Sequence, residues 1–128
     1  MTKMNELCEY IFPPVDDGLL EHRKDDDGNE IEPNFYMPII PMMLVNGSEG
    51  IGTGFSSTIP AYNPKDVIQN IRNLLNDLPL QEMTPWFRDF KGKIEKIPDE
   101  KFKYKTIGVY ARLDDVRVKI TELPVGSN

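Results

Sequence analysis

Residues 36–60 read YMPIIPMMLVNGSEGIGTGFSSTIP, and the reading of this stretch decides the fold. An apolar run enters it, a glycine-rich turn stands at its centre, and a small-residue segment leaves it. Pro38 and Pro41 bracket Ile39 and Ile40, which gives an extended segment short of backbone donors. Met42 to Val45 is expected as a short apolar strand covered on both faces and bounded by Asn46-Gly47. From Asn46 to Gly54 the chain carries four glycines, Gly47, Gly50, Gly52 and Gly54. Glycine adopts positive φ without strain and lets a second backbone or a polyanion come close. Ile51 is the unusual residue, a β-branched apolar side chain held between two glycines. Two readings stand for it. It plugs a local core, or it is a wedge pushed into a partner, including between stacked bases.

The nearest phosphate-binding patterns do not fit. Gly50-Ile51-Gly52-Thr53-Gly54 has GxGxG spacing where a dinucleotide fingerprint needs GxGxxG, and the loop has no lysine for a Walker A end. Successive backbone N–H groups can still form a nest for a phosphate. Ser56, Ser57 and Thr58 are able to donate to phosphate oxygens. No His or Asp stands beside them to mark a nucleophile, and adjacency of Ser48 and Glu49 is not a triad.

Downstream lies the clearest helix. Asn63 is its expected N-cap and Pro64 its first residue. Val67, Ile68, Ile71, Leu74, Leu75 and Leu78 form one apolar face, and Asn76-Asp77 with Pro79 end it. Trp86, Phe87 and Phe90 are expected to pack the following sheet onto this helix. From Gly92 the apolar period becomes two, giving strands over 93–97, 102–111 with a bend at Gly108, and 116–120, with a turn at Asp114-Asp115.

Upstream, residues 4–12 have helical spacing that Pro13-Pro14 stops. Asp16-Asp17-Gly18 is a turn signal, and a paired-carboxylate Mg²⁺ site there is the lesser reading. Residues 21–32 are a charged hairpin or loop centred on Asp27-Gly28-Asn29. The chain opens on what reads as the tail of a helix and closes without a capping element. Both ends therefore look cut, as in a fragment.

Among 128 residues 39% are apolar, so the core is expected to be modest. The lone Cys8 allows neither an internal disulfide nor a metal cluster, and His22 forms no ligand pattern. No signal peptide or membrane span is legible, and the expectation is a soluble intracellular protein. The net charge is −6, against a polybasic nucleic-acid binder as a whole. It is unevenly spread, with 5 basic and 14 acidic residues over 1–87 but 10 basic and 6 acidic over 88–119. That basic third is either a solvated sheet surface or a surface facing phosphates.

Assembled in order, the segments IFPPVDDGLL (11–20), EPNFYMPIIPMMLVNGSEGIGTGFSSTIP (32–60), NPKDVIQNIRNLL (63–75), PWFRDFKGKIE (85–95) and ITELPVG (120–126) resemble the type IIA DNA topoisomerase family, of eukaryotic type or a viral relative. The resemblance implies a fragment of the breakage–reunion core with an α+β fold. That fold would hold an apolar strand and glycine-rich loop, one packing helix, then a small, mostly antiparallel sheet. Residues 1–35 would end the winged-helix region, and 36–128 would be part of the DNA-gate tower. The family cuts both DNA strands through a tyrosyl–phosphate bond and passes a second duplex, with ATP hydrolysed in another domain.

In the family, the isoleucine of EGIGTG intercalates and bends the gate duplex, and here that residue is Ile51. Gly50, Gly52, Thr53, Gly54, Ser56 and Ser57 become the accompanying DNA-binding residues. The catalytic tyrosine stands upstream in an Arg-Tyr-Ile-Phe-Thr context. Tyr10 imitates it, but Glu9 and Pro13 replace the arginine and threonine, so no residue here is expected to be catalytic. No cofactor is expected in this chain. Mg²⁺ and ATP are implied for the full-length enzyme, as are double-stranded DNA, the remaining domains and a homodimer without membrane attachment. The implied location is the nucleus, or the cytoplasm or virion for a viral source. Asn128 stands where the family usually has tryptophan. The competing reading is a stand-alone protein-interaction domain derived from the same fold.

Overall fold

A computed structural model describes residues 3–127. The chain divides into two compact units, residues 1–42 and 43–128.

The first unit holds little regular structure. Helix α1 (Cys8–Ile11) is a single turn, followed after Pro13 by a 3-10 helix over Pro14–Leu19. Proline at 13 and 14 stops the α-helical ladder, and Phe12 meets Tyr36 edge-on with ring centroids 6.0 Å apart. Strands β1 (His22–Lys24) and β2 (Glu30–Pro33) pair antiparallel, as the charged hairpin reading expects. Its turn is organised by Asp25. One carboxylate oxygen accepts from the N–H of Asp27 (3.0 Å) and of Asn29 (2.8 Å), the other from the Asn29 side-chain amide (3.1 Å). These bonds, the Asn29 amide first, hold the Asp25 carboxyl below the usual carboxylate range. Across the hairpin, His22 Nδ1–H donates to the Ile31 carbonyl at 2.7 Å, which raises the imidazole pKa.

Met42 to Val45 is not a strand. It forms α2 (Met42–Asn46). A four-residue apolar run cannot separate strand from buried helix by periodicity, and here the flanks decide. Pro41 precedes the first turn, Met and Leu favour helix, and Gly47 follows at φ 72 as a left-handed terminating residue.

The second unit contains the helix expected after residue 63. In α3 (Pro64–Leu75) the Asn63 side chain caps the Lys65 N–H at 3.0 Å, and Asp77, at φ 53, turns the chain away. Its apolar face is only partly covered. Val67 is 2% exposed, but Leu74 and Leu75 are 64% and 78% exposed. The last turn is closed by Asn73 instead. Its backbone carbonyl accepts from Leu78 N–H at 2.8 Å, and its side-chain oxygen accepts from the Gln69 amide at 3.0 Å. Strands β3 (Ser48–Ile51) and β4 (Ser56–Ile59) precede α3. Strands β5 (Lys93–Lys96), β6 (Tyr104–Ile107), β7 (Val109–Arg112) and β8 (Val118–Glu122) follow it.

The β-structure comprises four two-stranded antiparallel ladders, β1–β2, β3–β4, β5–β6 and β7–β8. The α+β class and its small antiparallel sheets are as the sequence implies. The long strand over 102–111 is broken into β6 and β7 at Gly108, where a Cβ would stand 2.1 Å from the Glu122 carbonyl oxygen. Phe87 lines a groove of about 430 Å³ with Ile94, Tyr104, Pro60 and Thr58. Trp86 is spent on the backbone, its N–H donating to the Ala61 carbonyl at 2.8 Å beside the Tyr62–Pro85 bridge. Val67 is the buried apolar side chain among the described residues, joined by the closed Pro33 and Pro85. The modest core expected from composition is what is found.

Candidate functional site

The glycine-rich stretch is a hairpin, not a loop. Half of it is strand, because β3 finds a partner in the small hydroxyl residues of β4. The register pairs Ser48 with Ile59, Glu49 with Thr58, Gly50 with Ser57, and Ile51 with Ser56. Side chains alternate between faces along a strand. Glu49, Ile51, Ser56 and Thr58 therefore share one face, while Ser48, Gly50, Ser57 and Ile59 share the other. The expected donors Ser56 and Ser57 lie on opposite faces, so only Ser56 accompanies Ile51.

Gly52, Thr53, Gly54 and Phe55 make the tip. Gly52 N–H donates to the Phe55 carbonyl at 2.8 Å, and Gly54 takes φ 85. A left-handed residue at this point lets the chain reverse without strain. Ile51 is 88% exposed and Phe55 87% exposed. Ile51 thus plugs no local core. A bare isoleucine between glycines, on a rigid two-stranded support, gains nothing for folding from its apolar surface.

The base of the hairpin is held closely. A Cβ at Gly47 would stand 2.8 Å from the Ile59 carbonyl oxygen and 3.1 Å from Ala61 N. Tyr62 N–H donates to the Leu44 carbonyl at 2.8 Å, tying the exit of β4 to α2. Desolvation raises the Tyr62 hydroxyl pKa, with Tyr104 adding to it.

In the basic third, Lys96 pairs with Glu82, Lys103 with Glu100, Arg112 with Asp115 at 2.8 Å and Arg117 with Asp114 at 2.6 Å. Glu82 raises the Lys96 pKa, and Arg117 lowers that of Asp114. Lys93 and Lys105 lie on one face of β5–β6 by register and make no ion pair among the described residues. Tyr10, on α1, is 73% exposed. Asp16 and Asp17 sit in the 3-10 helix, and no group of three or more His, Cys, Asp or Glu among the described residues is placed to hold a metal ion. The residues present do not fit a Mg²⁺ centre. Nor does the hairpin fit ATP, because β4 follows the glycines where a phosphate cradle opens a helix.

Comparison with known proteins decides the family. The family model for the A-type chain of DNA gyrase/topoisomerase IV matches residues 1–128. The chain belongs to this family. Its resemblance to the type IIA DNA topoisomerase breakage–reunion core therefore holds. DNA topoisomerase 2 of Candida albicans is 48% identical over 124 residues, and that of Pisum sativum 49% over 124 residues; each alignment covers 97% of this chain. The chain spans 8% of the length of either relative. Among solved structures, the Plasmodium falciparum topoisomerase II DNA-binding, cleavage and re-ligation domain matches with a TM-score of 0.79 and 49% identity. That match covers 91% of this chain and 16% of the other. Family membership makes this part of an enzyme family, represented here by a segment of its DNA-binding and cleavage domain.

Phe55 is the residue that sequence reasoning passed over. The hydroxyl run of Ser56 to Thr58 drew attention to phosphate donors. The cue to Phe55 was pairing: Ser48–Ile51 and Ser56–Ile59 are equal in length and flank a Thr-Gly turn, which leaves 55 at the tip. Asn128 lies outside the described residues.

Proposed function

We propose that this chain contributes duplex binding and bending to the double-strand passage reaction of an ATP-dependent type IIA DNA topoisomerase. Ile51 is the intercalating wedge. Gly50, Gly52, Thr53 and Gly54 bring backbone close to the duplex, and Ser56 and Ser57 donate to its phosphates. The observation that carries this reading is the 88% exposure of Ile51 at the tip of a glycine hairpin. An apolar side chain there loses free energy in water and recovers it between unstacked bases, which offsets part of the unstacking cost and leaves the duplex kinked.

In this reading residues 1–35 end the winged-helix region and 36–128 form part of the tower of the DNA gate. The catalytic tyrosine, Mg²⁺ centre and ATP site are supplied by other parts of a homodimer acting in the nucleus, or in the cytoplasm or virion for a viral source. The isolated chain is inactive in strand passage. The many exposed apolar side chains, such as Leu75 and Val116 at 78% and 90%, support burial against neighbouring domains. Lys93 and Lys105 supply non-specific attraction to the phosphate backbone.

The test is a graft. The matching segment of the Candida albicans relative is replaced by this chain, and ATP-dependent relaxation of supercoiled DNA is measured. Retained relaxation supports the reading. A folded graft that still binds duplex, yet neither bends nor cleaves it, contradicts it.

A further inference from the structure

The hairpin tip carries two exposed apolar side chains, and the wedge uses one. Ile51 is 88% exposed and Phe55 87% exposed, with no packing partner to explain either. They do not share a face. Ile51 pairs with Ser56, whereas Phe55 stands opposite Gly52, joined by the Gly52 N–H to Phe55 carbonyl bond of 2.8 Å. One step along the ladder reverses the side-chain direction. On the Phe55 side, the neighbouring positions are Gly50 and Gly52, so the ring rises from bare backbone and Ser57. A Cβ at Gly52 would stand 3.2 Å from the Phe55 carbonyl oxygen, and one at Gly50 would stand 3.1 Å from the Ser57 hydroxyl. Side chains at either glycine would crowd the surface next to the ring.

We propose that Phe55 is a second apolar DNA contact, laid against the sugar and base-edge wall of the minor groove on the face of the hairpin opposite Ile51. This inference rests on the duplex-bending reading above. The ring has no donor or acceptor, so it recognises apolar C–H surface and not a base pattern. A B-form minor groove is about 6 Å wide and cannot hold side chains on both faces of a two-stranded ribbon. A wedge that unstacks a step kinks the duplex toward the major groove and opens the minor groove. Phe55 therefore meets its wall only after Ile51 has entered. A contact made in one of two states shifts the equilibrium toward that state by its differential free energy. Phe55 holds the bent duplex and leaves the straight one nearly unaffected.

The experiment uses the grafted full-length enzyme, a duplex with a donor and acceptor dye at its ends, and four proteins: unmodified, Ile51→Ala, Phe55→Ala and Phe55→Trp. Fluorescence transfer reads the bent fraction, and anisotropy reads affinity. Expected for Phe55→Ala is a bent-to-straight ratio lowered roughly tenfold, initial affinity within about twofold, and an unchanged melting temperature. Expected for Phe55→Trp is recovery of bending. Three results would overturn the inference. Phe55→Ala bends DNA normally while Ile51→Ala does not, which leaves the wedge standing alone. Phe55→Ala lowers the melting temperature of the DNA-free enzyme, which assigns the ring to a protein contact. Phe55→Trp bends no better than Phe55→Ala, which denies an aromatic contact. Failure of Ile51→Ala to alter bending would instead sink the wedge reading itself.

Discussion

Replacing Gly47 by alanine tests whether the hairpin is aimed by its base. Gly47 has φ 72, and a Cβ there would stand 2.8 Å from the Ile59 carbonyl oxygen, 3.1 Å from Ala61 N and 3.3 Å from the Pro60 carbonyl carbon. All three neighbours are backbone, so none can rotate away. The left-handed conformation costs an alanine about 1–2 kcal/mol. Crowding against fixed atoms adds about 1–3 kcal/mol. The stiffer unfolded chain returns roughly 0.4–1 kcal/mol. The net loss is about 2–4 kcal/mol. Gly54→Ala is the internal comparison, because its φ is 85 but its added Cβ meets nothing within 4 Å. Only the backbone cost less the unfolded-chain return applies there, about 0.5–1 kcal/mol. Urea denaturation of the two variants gives the stability difference, and amide exchange across Ser48–Ile51 and Ser56–Ile59 locates it. Gly47→Ala should accelerate exchange along the whole ladder, since Ser48 and Ile59 are its first pair. Equal losses in the two variants would refute the close-approach argument and leave backbone strain alone.

Two further predictions concern stability. Val67→Ala removes the buried apolar side chain of α3 and should cost about 2 kcal/mol, while Leu75→Ala, at 78% exposure, should change stability by less than about 0.5 kcal/mol; equal costs in thermal melts would show that the leucine face is covered after all. The Asp25 carboxyl is held low by Asn29, so its contribution to the β1–β2 hairpin is present above the unfolded carboxylate pKa and lost as pH falls through the lower folded value. Side-chain NMR titration should place its midpoint below 3.8, and Asn29→Ala should move that midpoint upward.

What could be read from sequence was whatever local chemistry enforces by itself. Asn63-Pro64 announces a helix start through a capping oxygen and a fixed φ, and α3 begins there. Asp25 to Asn29 announces a turn through short polar side chains and a glycine, and β1–β2 reverses there. The apolar run Met42 to Val45 carried no such signal, because its fate was set by Pro41 and Gly47 at its ends. The partial exposure of the α3 face was hidden for a different reason. Periodicity reports which side chains favour burial, not whether enough protein is present to bury them. At the site, glycine spacing singled out Ile51 correctly as peculiar. The division of Ser56 from Ser57, and the position of Phe55, depend on a register fixed by pairing between strands.

The central claim is that Ile51 bends DNA and does nothing for the fold. Ile51→Ala removes three carbons. If these are buried between bases in the bent complex, the loss is about 2 kcal/mol, or roughly a thirtyfold fall in the bent-to-straight ratio. At 88% exposure the same change should leave the melting temperature of the enzyme unmoved. The decisive measurement is duplex bending by fluorescence transfer in the grafted enzyme, with Ile51 and with Ile51→Ala. The account predicts loss of the bent state at unchanged stability. Normal bending by the variant would contradict it.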